Sequence, residues 1–160
     1  MRASQEFDRK EKLIASNRRV RHDYEIILTV EAGIELQGTE VKSLRAGKCS
    51  IQDSYASFKN YDSYELYLLN FHINPYEQGN RNNHEPRRER KLLVTHREAV
   101  KLKTAIMEKG MTLVPLSVYF SGPFIKIEIG VAKPKRKYDK RESIKERETE
   151  IEIHRKFRVR

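Results

Sequence analysis

The chain has 160 residues, 38% of them hydrophobic and 35% charged, with 33 Lys/Arg against 23 Asp/Glu and a formal net charge of +10. This length and apolar content suit one domain with a modest core, and the positive balance draws anionic partners, nucleic acid first and acidic membrane second. No apolar run approaches the length of a membrane span, and Cys49, the one cysteine, rules out an internal disulfide and a multi-cysteine zinc site.

In chain order, Met1 to Leu13 is charged and lacks the apolar stretch of a secretory signal, so a cytoplasmic address is expected. Asn17-Arg18-Arg19-Val20-Arg21-His22 then gathers four potential cations, a set suited to an RNA backbone because guanidinium groups meet phosphates with paired donors. Tyr24, Ile26, Leu28 and Val30 alternate with Glu25, Ile27 and Thr29, which predicts a strand over Tyr24 to Val30, and Glu31-Ala32-Gly33 places a carboxylate at its end before a turn. A short helix is expected from Thr39 to Ala46 with Val41 and Leu44 inward and Gly47 as its stop. Cys49 reads as a small, half-buried apolar residue. Ile51 to Phe58 and Glu65 to Phe71, joined through Asn60, Asp62 and Ser63, form an antiparallel hairpin.

The 18 residues from Asn74 to Lys91 contain no aliphatic side chain. A loop that long is unusual without a function. Arg81, Arg87, Arg88, Arg90 and Lys91, set against Glu77, Glu85 and Glu89 with Tyr76 and His84 nearby, suit phosphate contacts and base stacking. Beyond it, Thr95 and Glu98 have capping-box spacing, Ala99, Leu102 and Ile106 share a helix face, and Gly110 offers a left-handed cap. A second hairpin follows. Leu116, Val118 and Phe120 alternate, Gly122-Pro123 turns, and Ile125, Ile127, Ile129 and Val131 alternate with Lys126 and Glu128 off the core. Pro115 marks an edge, a bulge or a strand beginning. Antiparallel hairpins with two or three helices predict a mainly β fold, a closed or nearly closed barrel over residues 1–132.

Residues 133–160 form a basic tail holding 12 Lys/Arg and 6 Asp/Glu, hence +6 of the net charge. So few apolar groups cannot offset the ordering entropy, so disorder until a polyanion binds is expected. Lys133 to Lys137 reads as a linker, Asp139 and Glu142 repeat the capping-box spacing, and Ile144 and Ile151 make a thin stripe that predicts a weak helix. Fully extended, this tail reaches roughly 90 Å. For catalysis, the five histidines show no i,i+4 pair, and neither a nucleophile elbow nor a Gly-rich phosphate loop is present, so no enzyme is expected. A ribonuclease using His22 or His72 is the enzymatic alternative.

Taken in order, Asn17 through His22, Glu31-Ala32-Gly33, Gly38-Thr39-Glu40-Val41-Lys42-Ser43-Leu44-Arg45, Asp53-Ser54-Tyr55, His72-Ile73, Pro86 to Leu93, Gly110 to Leu116 and Tyr138-Asp139-Lys140-Arg141 carry a resemblance. From about Ala15 to Arg147 the chain resembles the bacterial small protein B (SmpB) family, partners of transfer-messenger RNA in ribosome rescue. The resemblance implies an oligonucleotide-binding type barrel that grips the tRNA-like domain of transfer-messenger RNA at its D-loop and elbow. It also implies that the protein travels with the charged RNA and GTP-bound elongation factor Tu to the A site of a stalled 70S ribosome. No cofactor or metal is implied.

By the same resemblance Glu31, Leu93 and Lys126 take RNA-binding positions, with Asn17, Arg18, Arg19, Arg21, His22, Arg45, Arg88 and Lys91 beside them. The tail residues Lys133, Lys135, Arg136, Lys137, Tyr138, Asp139, Lys140, Arg141, Ile144, Lys145 and Arg147 would occupy the decoding centre and empty mRNA channel, Tyr138 by stacking. Pro134 departs from the family pattern and stiffens the exit of the tail. The alternative from the residues alone is a general single-stranded RNA binder.

Overall fold

Two long strands from the C-terminal half, joined at a tight turn where Gly122 takes φ +60°, organise the sheet. The computed structural model describes residues 12–108 and 110–135. Its strands are β1 (Lys12–Ser16), β2 (Tyr24–Ile34), β3 (Cys49–Ser50), β4 (Tyr55–Phe58), β5 (Leu66–Leu69), β6 (His72–Ile73), β7 (Arg90–Leu93), β8 (Thr112–Ser121) and β9 (Phe124–Pro134). The helices are α1 (Arg18–Asp23), α2 (Gly38–Arg45) and α3 (His96–Met107), with a 3-10 helix over Glu77–Asn82. The main sheet runs β1-β8-β4-β5-β7-β2-β9, and β9 pairs back onto β8, so the antiparallel strands form a ring. β3 and β6 make a separate two-stranded ladder.

Ile125, Ile127, Ile129 and Val131 of β9 all face the main core with Leu66, Leu68, Phe71, Leu102 and Leu113, as their alternation predicts. The alternation fails in two places, both at bulges. A register shift between Pro115 and Ser117 makes Leu116 the extra residue of β8, and another between Ile26 and Leu28 interrupts β2. A bulge reverses which face the following residues take. Val114 and Leu116 therefore join Ala132 and Val20 in a second small cluster, against which Tyr24 and Ile26 pack, while Val30 and Ala32 face the main core. The expectation that Tyr24, Ile26, Leu28 and Val30 share one face is thus corrected, and Pro115 lies at a bulge inside a strand. Gly130 makes this second cluster possible: a Cβ there would meet Leu116 Cδ1 at 3.1 Å and Ile26 Cγ2 at 3.3 Å.

Other boundaries also differ from the sequence reading: the first hairpin narrows to Tyr55–Phe58 and Leu66–Leu69, and α2 runs one residue earlier, over Gly38–Arg45. β2 continues through Glu31-Ala32-Gly33, which lie within the strand because β9 pairs with them as far as Lys126. β9 continues through Lys133 and Pro134, opposite Glu25 and Tyr24. Arg18–Asp23 folds into α1, with Asn17 at its N-cap and Val20 buried. α3 has its capping box, Glu98 N–H to Thr95 Oγ1 at 3.2 Å and Thr95 N–H to Glu98 Oε2 at 3.0 Å. It ends at an extended Glu108, so Gly110, although at φ +77°, lies beyond the cap. Cys49 is half-buried, and burial pushes its thiol up to about 11, which keeps it protonated at neutral pH.

The segment read as an open, RNA-facing loop is bolted to α2. Glu40, fully buried in the first turn of α2, binds Arg88 Nε with Oε1 and accepts from Arg90 Nε at 2.8 Å with Oε2. Arg90 is itself fully buried and also donates to the carbonyls of Phe71 (2.5 Å), Arg88 (3.2 Å) and Pro86 (3.1 Å). Burial pulls the Arg90 guanidinium below its usual range, against the opposing pull of Glu40. On the same helix Ser43 Oγ donates to Asn74 O at 2.7 Å, and Thr39 Oγ1 lies 2.8 Å from His84 Nδ1. His84 Nε2 faces the Ile73 carbonyl at 2.9 Å, and since a carbonyl only accepts, Nε2 holds the proton. His84 is buried and unavailable to a base.

Removing one partner of a buried ion pair costs about 3–5 kcal/mol, because the other charge is stranded. Arg90→Met and Glu40→Leu are each expected to lose about that much, read from urea midpoints, and the double variant is expected to be more stable than either. Double-variant loss equal to the sum of the single losses would overturn this account.

Candidate nucleic-acid interface

Residues directly opposite on neighbouring antiparallel strands point to the same side. One such row crosses five strands: Leu13 on β1, Tyr119 on β8, Lys126 on β9, Gly33 on β2 and Leu93 on β7. The next row brings Ser117, Glu128 and Glu31 together. The ring therefore unites Glu31, Leu93 and Lys126, which lie far apart in the chain.

Glu31 and Glu128 stand opposite one another, an unfavourable like-charge pair on a ladder. Each carboxylate has a hydroxyl partner: Tyr119 donates to Glu31 Oε2, and Ser117 Oγ donates to Glu128 Oε2 at 3.3 Å. Around them lies an open cleft of about 430 Å³ lined also by Leu13 and Thr29. Leu93 is 49% exposed although it is apolar, and Leu13 is 60% exposed. Exposed apolar groups beside ordered carboxylates offer a surface for base faces and ribose or base donors rather than for phosphate alone.

Gly33 sets how Leu93 lies. A Cβ on Gly33 would come within 3.3 Å of Leu93 Cβ, so the bare backbone lets Leu93 settle across β2. Lys91, two residues earlier on β7 and half-buried, is 3.7 Å from Glu65. An ion pair that long and that solvated holds its lysine weakly.

The α1 residues make a second basic group. Arg18, Arg19, Arg21 and His22 are exposed, and His22 Nδ1 lies 3.0 Å from Asp23. Lys135 ties the end of the described chain to them, its Nζ donating to Arg21 O at 3.2 Å and its backbone N–H to Asp23 O at 3.0 Å. From Tyr24 beside α1 to Gly33 in the sheet row is nine strand positions, about 30 Å. Asn17 is buried, and Arg45 is exposed at the end of α2. Arg88, by contrast, is committed to Glu40 and is largely covered, with Nη1 donating to Glu89 O at 3.2 Å. Arg136, Lys137, Tyr138, Asp139, Lys140, Arg141, Ile144, Lys145 and Arg147 lie outside the described residues.

These features define a β-ring protein with an exposed polar and apolar sheet face and separate basic groups, a form suited to a folded RNA. The chain matches the family described as SmpB protein over residues 14–159, and it belongs to that family. A relative from Carboxydothermus hydrogenoformans, named SsrA-binding protein, is 53% identical over 94% of this chain and 99% of its own length. Another of that name from Geobacillus sp. strain WCH70 is 54% identical over 93% of this chain and 94% of its own. Among solved structures, a chain described under "tmRNA-SmpB: a journey to the center of the bacterial ribosome" is 48% identical and superposes with a TM-score of 0.64, covering 81% of this chain and 93% of that one.

Sequence reasoning missed Tyr119 and Glu128 as neighbours of Glu31, and the close approach of Leu93 to Gly33. A signal for Tyr119 was available, since counting outward from the Gly122-Pro123 turn pairs Tyr119 with Lys126. Gly33→Val is expected to displace Leu93 and weaken RNA binding severalfold while costing about 1 kcal/mol of stability. Gel shifts and thermal melts check the two effects, and unchanged RNA affinity would show that the seat of Leu93 is unimportant.

Proposed function

We propose that this protein binds transfer-messenger RNA with the outer face of its ring and serves trans-translation on the ribosome, without catalysing a reaction. Family membership together with the assembly of Glu31, Leu93 and Lys126 in adjoining rows carries this reading. The RNA element gripped is its tRNA-like domain at the D-loop and elbow. The protein then accompanies the charged RNA, with GTP-bound elongation factor Tu, to the A site of a stalled ribosome in the cytoplasm. Arg18, Arg19, Arg21 and His22 of α1 add contacts to RNA, and residues 136–160 serve the ribosomal side, with Tyr138 to Arg141 at the decoding centre and the remainder along the empty mRNA channel. No helix of the described residues is long and apolar enough to cross a membrane.

Placing carboxylates in an RNA-facing surface costs long-range attraction, so their value must lie in short-range bonds to base or ribose donors. Glu31→Ala is accordingly expected to weaken transfer-messenger RNA binding although it makes the chain more cationic. Lys126→Ala should lower affinity and reduce the salt slope by about one. Competition with unrelated RNA at two salt concentrations checks both, because a general single-strand binder would lose selectivity and would bind Glu31→Ala more tightly.

The division between ring and tail is proposed after Lys135, since Lys133 and Pro134 complete the β9 ladder and Lys135 holds α1. Deleting residues 136–160 should leave RNA affinity within about threefold while abolishing peptide tagging on ribosomes stalled without a stop codon. Equal loss of both would show that the two parts do not act separately.

A further inference from the structure

A second cleft of about 430 Å³ opens between α1, the turn before β4 and the start of β8. Seven strand positions, about 23 Å, separate Tyr24 at this cleft from Glu31 at the sheet-face site. Among its lining residues are Asn17, Arg19, Asp23, Tyr24, Asp53 and Tyr55. Asn17 is the singular feature. At the N-cap of α1 an asparagine ordinarily accepts a backbone N–H from the first turn, yet Asn17 makes no such side-chain bond. Its residue is only 5% exposed, and its Oδ1 is buried without any hydrogen-bond partner. Asn17 N–H donates to Leu116 O at 2.8 Å, which fixes the backbone beside the cleft. A stranded buried acceptor costs about 1–3 kcal/mol, so a site that keeps one gains when a donor arrives.

The other walls restrict what that donor is. Asp53 is exposed and forms no ion pair among the described residues, and Asp23 adds a second carboxylate. The Asp53 carboxylate disfavours a phosphate at its wall, so a base rather than the backbone of a nucleic acid suits that side of the cleft. Tyr24 and Tyr55 supply flat rings, Tyr55 being 43% exposed, and Arg19 is an exposed guanidinium.

We infer that this cleft receives the base of an unpaired guanosine of RNA. Guanine carries adjacent donors at N1 and N2, which a carboxylate such as Asp53 accepts as a pair, leaving the second N2 hydrogen for Asn17 Oδ1. Its O6 and N7 are the acceptors that an arginine recognises. The tyrosines offer stacking that every base accepts, so they contribute affinity and the polar groups contribute choice. Adenine presents an acceptor at N1 to the carboxylate and lacks the N2 amino group. The inference rests on the RNA-binding reading and adds a base-selective pocket on the α1 side.

The test uses the full chain and fluorescent oligoadenylates of six nucleotides carrying one central guanosine, inosine or adenosine, read by anisotropy. The guanosine oligomer is expected to bind about tenfold more tightly than the adenosine one, with inosine between them because it lacks the N2 amino group. Asp53→Asn should abolish that preference while holding or raising affinity for the all-adenosine oligomer, since a negative charge beside a polyanion is removed. General misfolding would lower both. Equal binding of the guanosine and adenosine oligomers, or a preference that survives in Asp53→Asn, overturns the pocket. Transfer-messenger RNA is titrated in parallel: retained binding of it without guanosine preference overturns the pocket alone, and loss of it overturns the RNA-binding reading as well.

Discussion

The buried contact of Glu40 with Arg90 is the constraint on which the rest of the ring depends. Three separated parts of the chain meet there: α2 through Glu40, the turn at Phe71 through its carbonyl, and the start of β7 through Arg90. Charges taken from water gain stability only when their remaining donors and acceptors are satisfied. Arg90 meets that condition with one carboxylate and three carbonyls, and its guanidinium also lies 5.5 Å from the centre of the Phe71 ring. Because β7 starts at this anchor, the network fixes where Lys91 and Leu93 emerge on the outer face. A polar cluster inside the fold thus sets the position of an apolar residue outside it.

The two bulges perform a related task. A ring with an unbroken period of two would place Val114, Leu116 and Val118 on one face of β8, and Tyr24, Ile26, Leu28 and Val30 on one face of β2. The extra residues at Leu116 and near Ile27 turn Val114, Leu116, Tyr24 and Ile26 outward, where Val20 closes over them. This second cluster is what seats a six-residue helix too short to be stable alone. Its exposed arginines are thereby held beside the point where β9 delivers the chain to residue 136.

Strand identity was legible in the sequence because β9 keeps strict alternation and the second hairpin has a strong turn, and the α3 cap follows from two residues three apart. The faces of β2 and β8 were not, because a bulge leaves composition unchanged while reversing orientation. The cations of residues 74–91 were misleading for a different reason. Arg88 and Arg90 have the same sequence appearance as phosphate ligands, and only the burial of Glu40, 48 and 50 positions away, shows that they are internal partners. An isolated Glu in a helix gives no sign of whether it faces water or two guanidinium groups. Two of the motifs, Gly38 to Arg45 and Pro86 to Leu93, bind each other through Glu40, Arg88 and Arg90.

That distinction changes how the net charge of +10 should be understood. At physiological ionic strength fields decay over about 8 Å, so basic groups some 30 Å apart act on different parts of a large partner rather than as one field. Their attraction raises encounter rates but does not distinguish one RNA from another. Discrimination requires groups that an arbitrary polyanion would disfavour, and both clefts contain such groups. Glu31 and Glu128 line one, and Asp23 and Asp53 line the other. An acidic residue in a basic RNA-binding surface repels every phosphate placed there. Under the proposed function, only a partner that brings ribose or base donors to the same point recovers the loss, and the carboxylates would then select by penalising the wrong register.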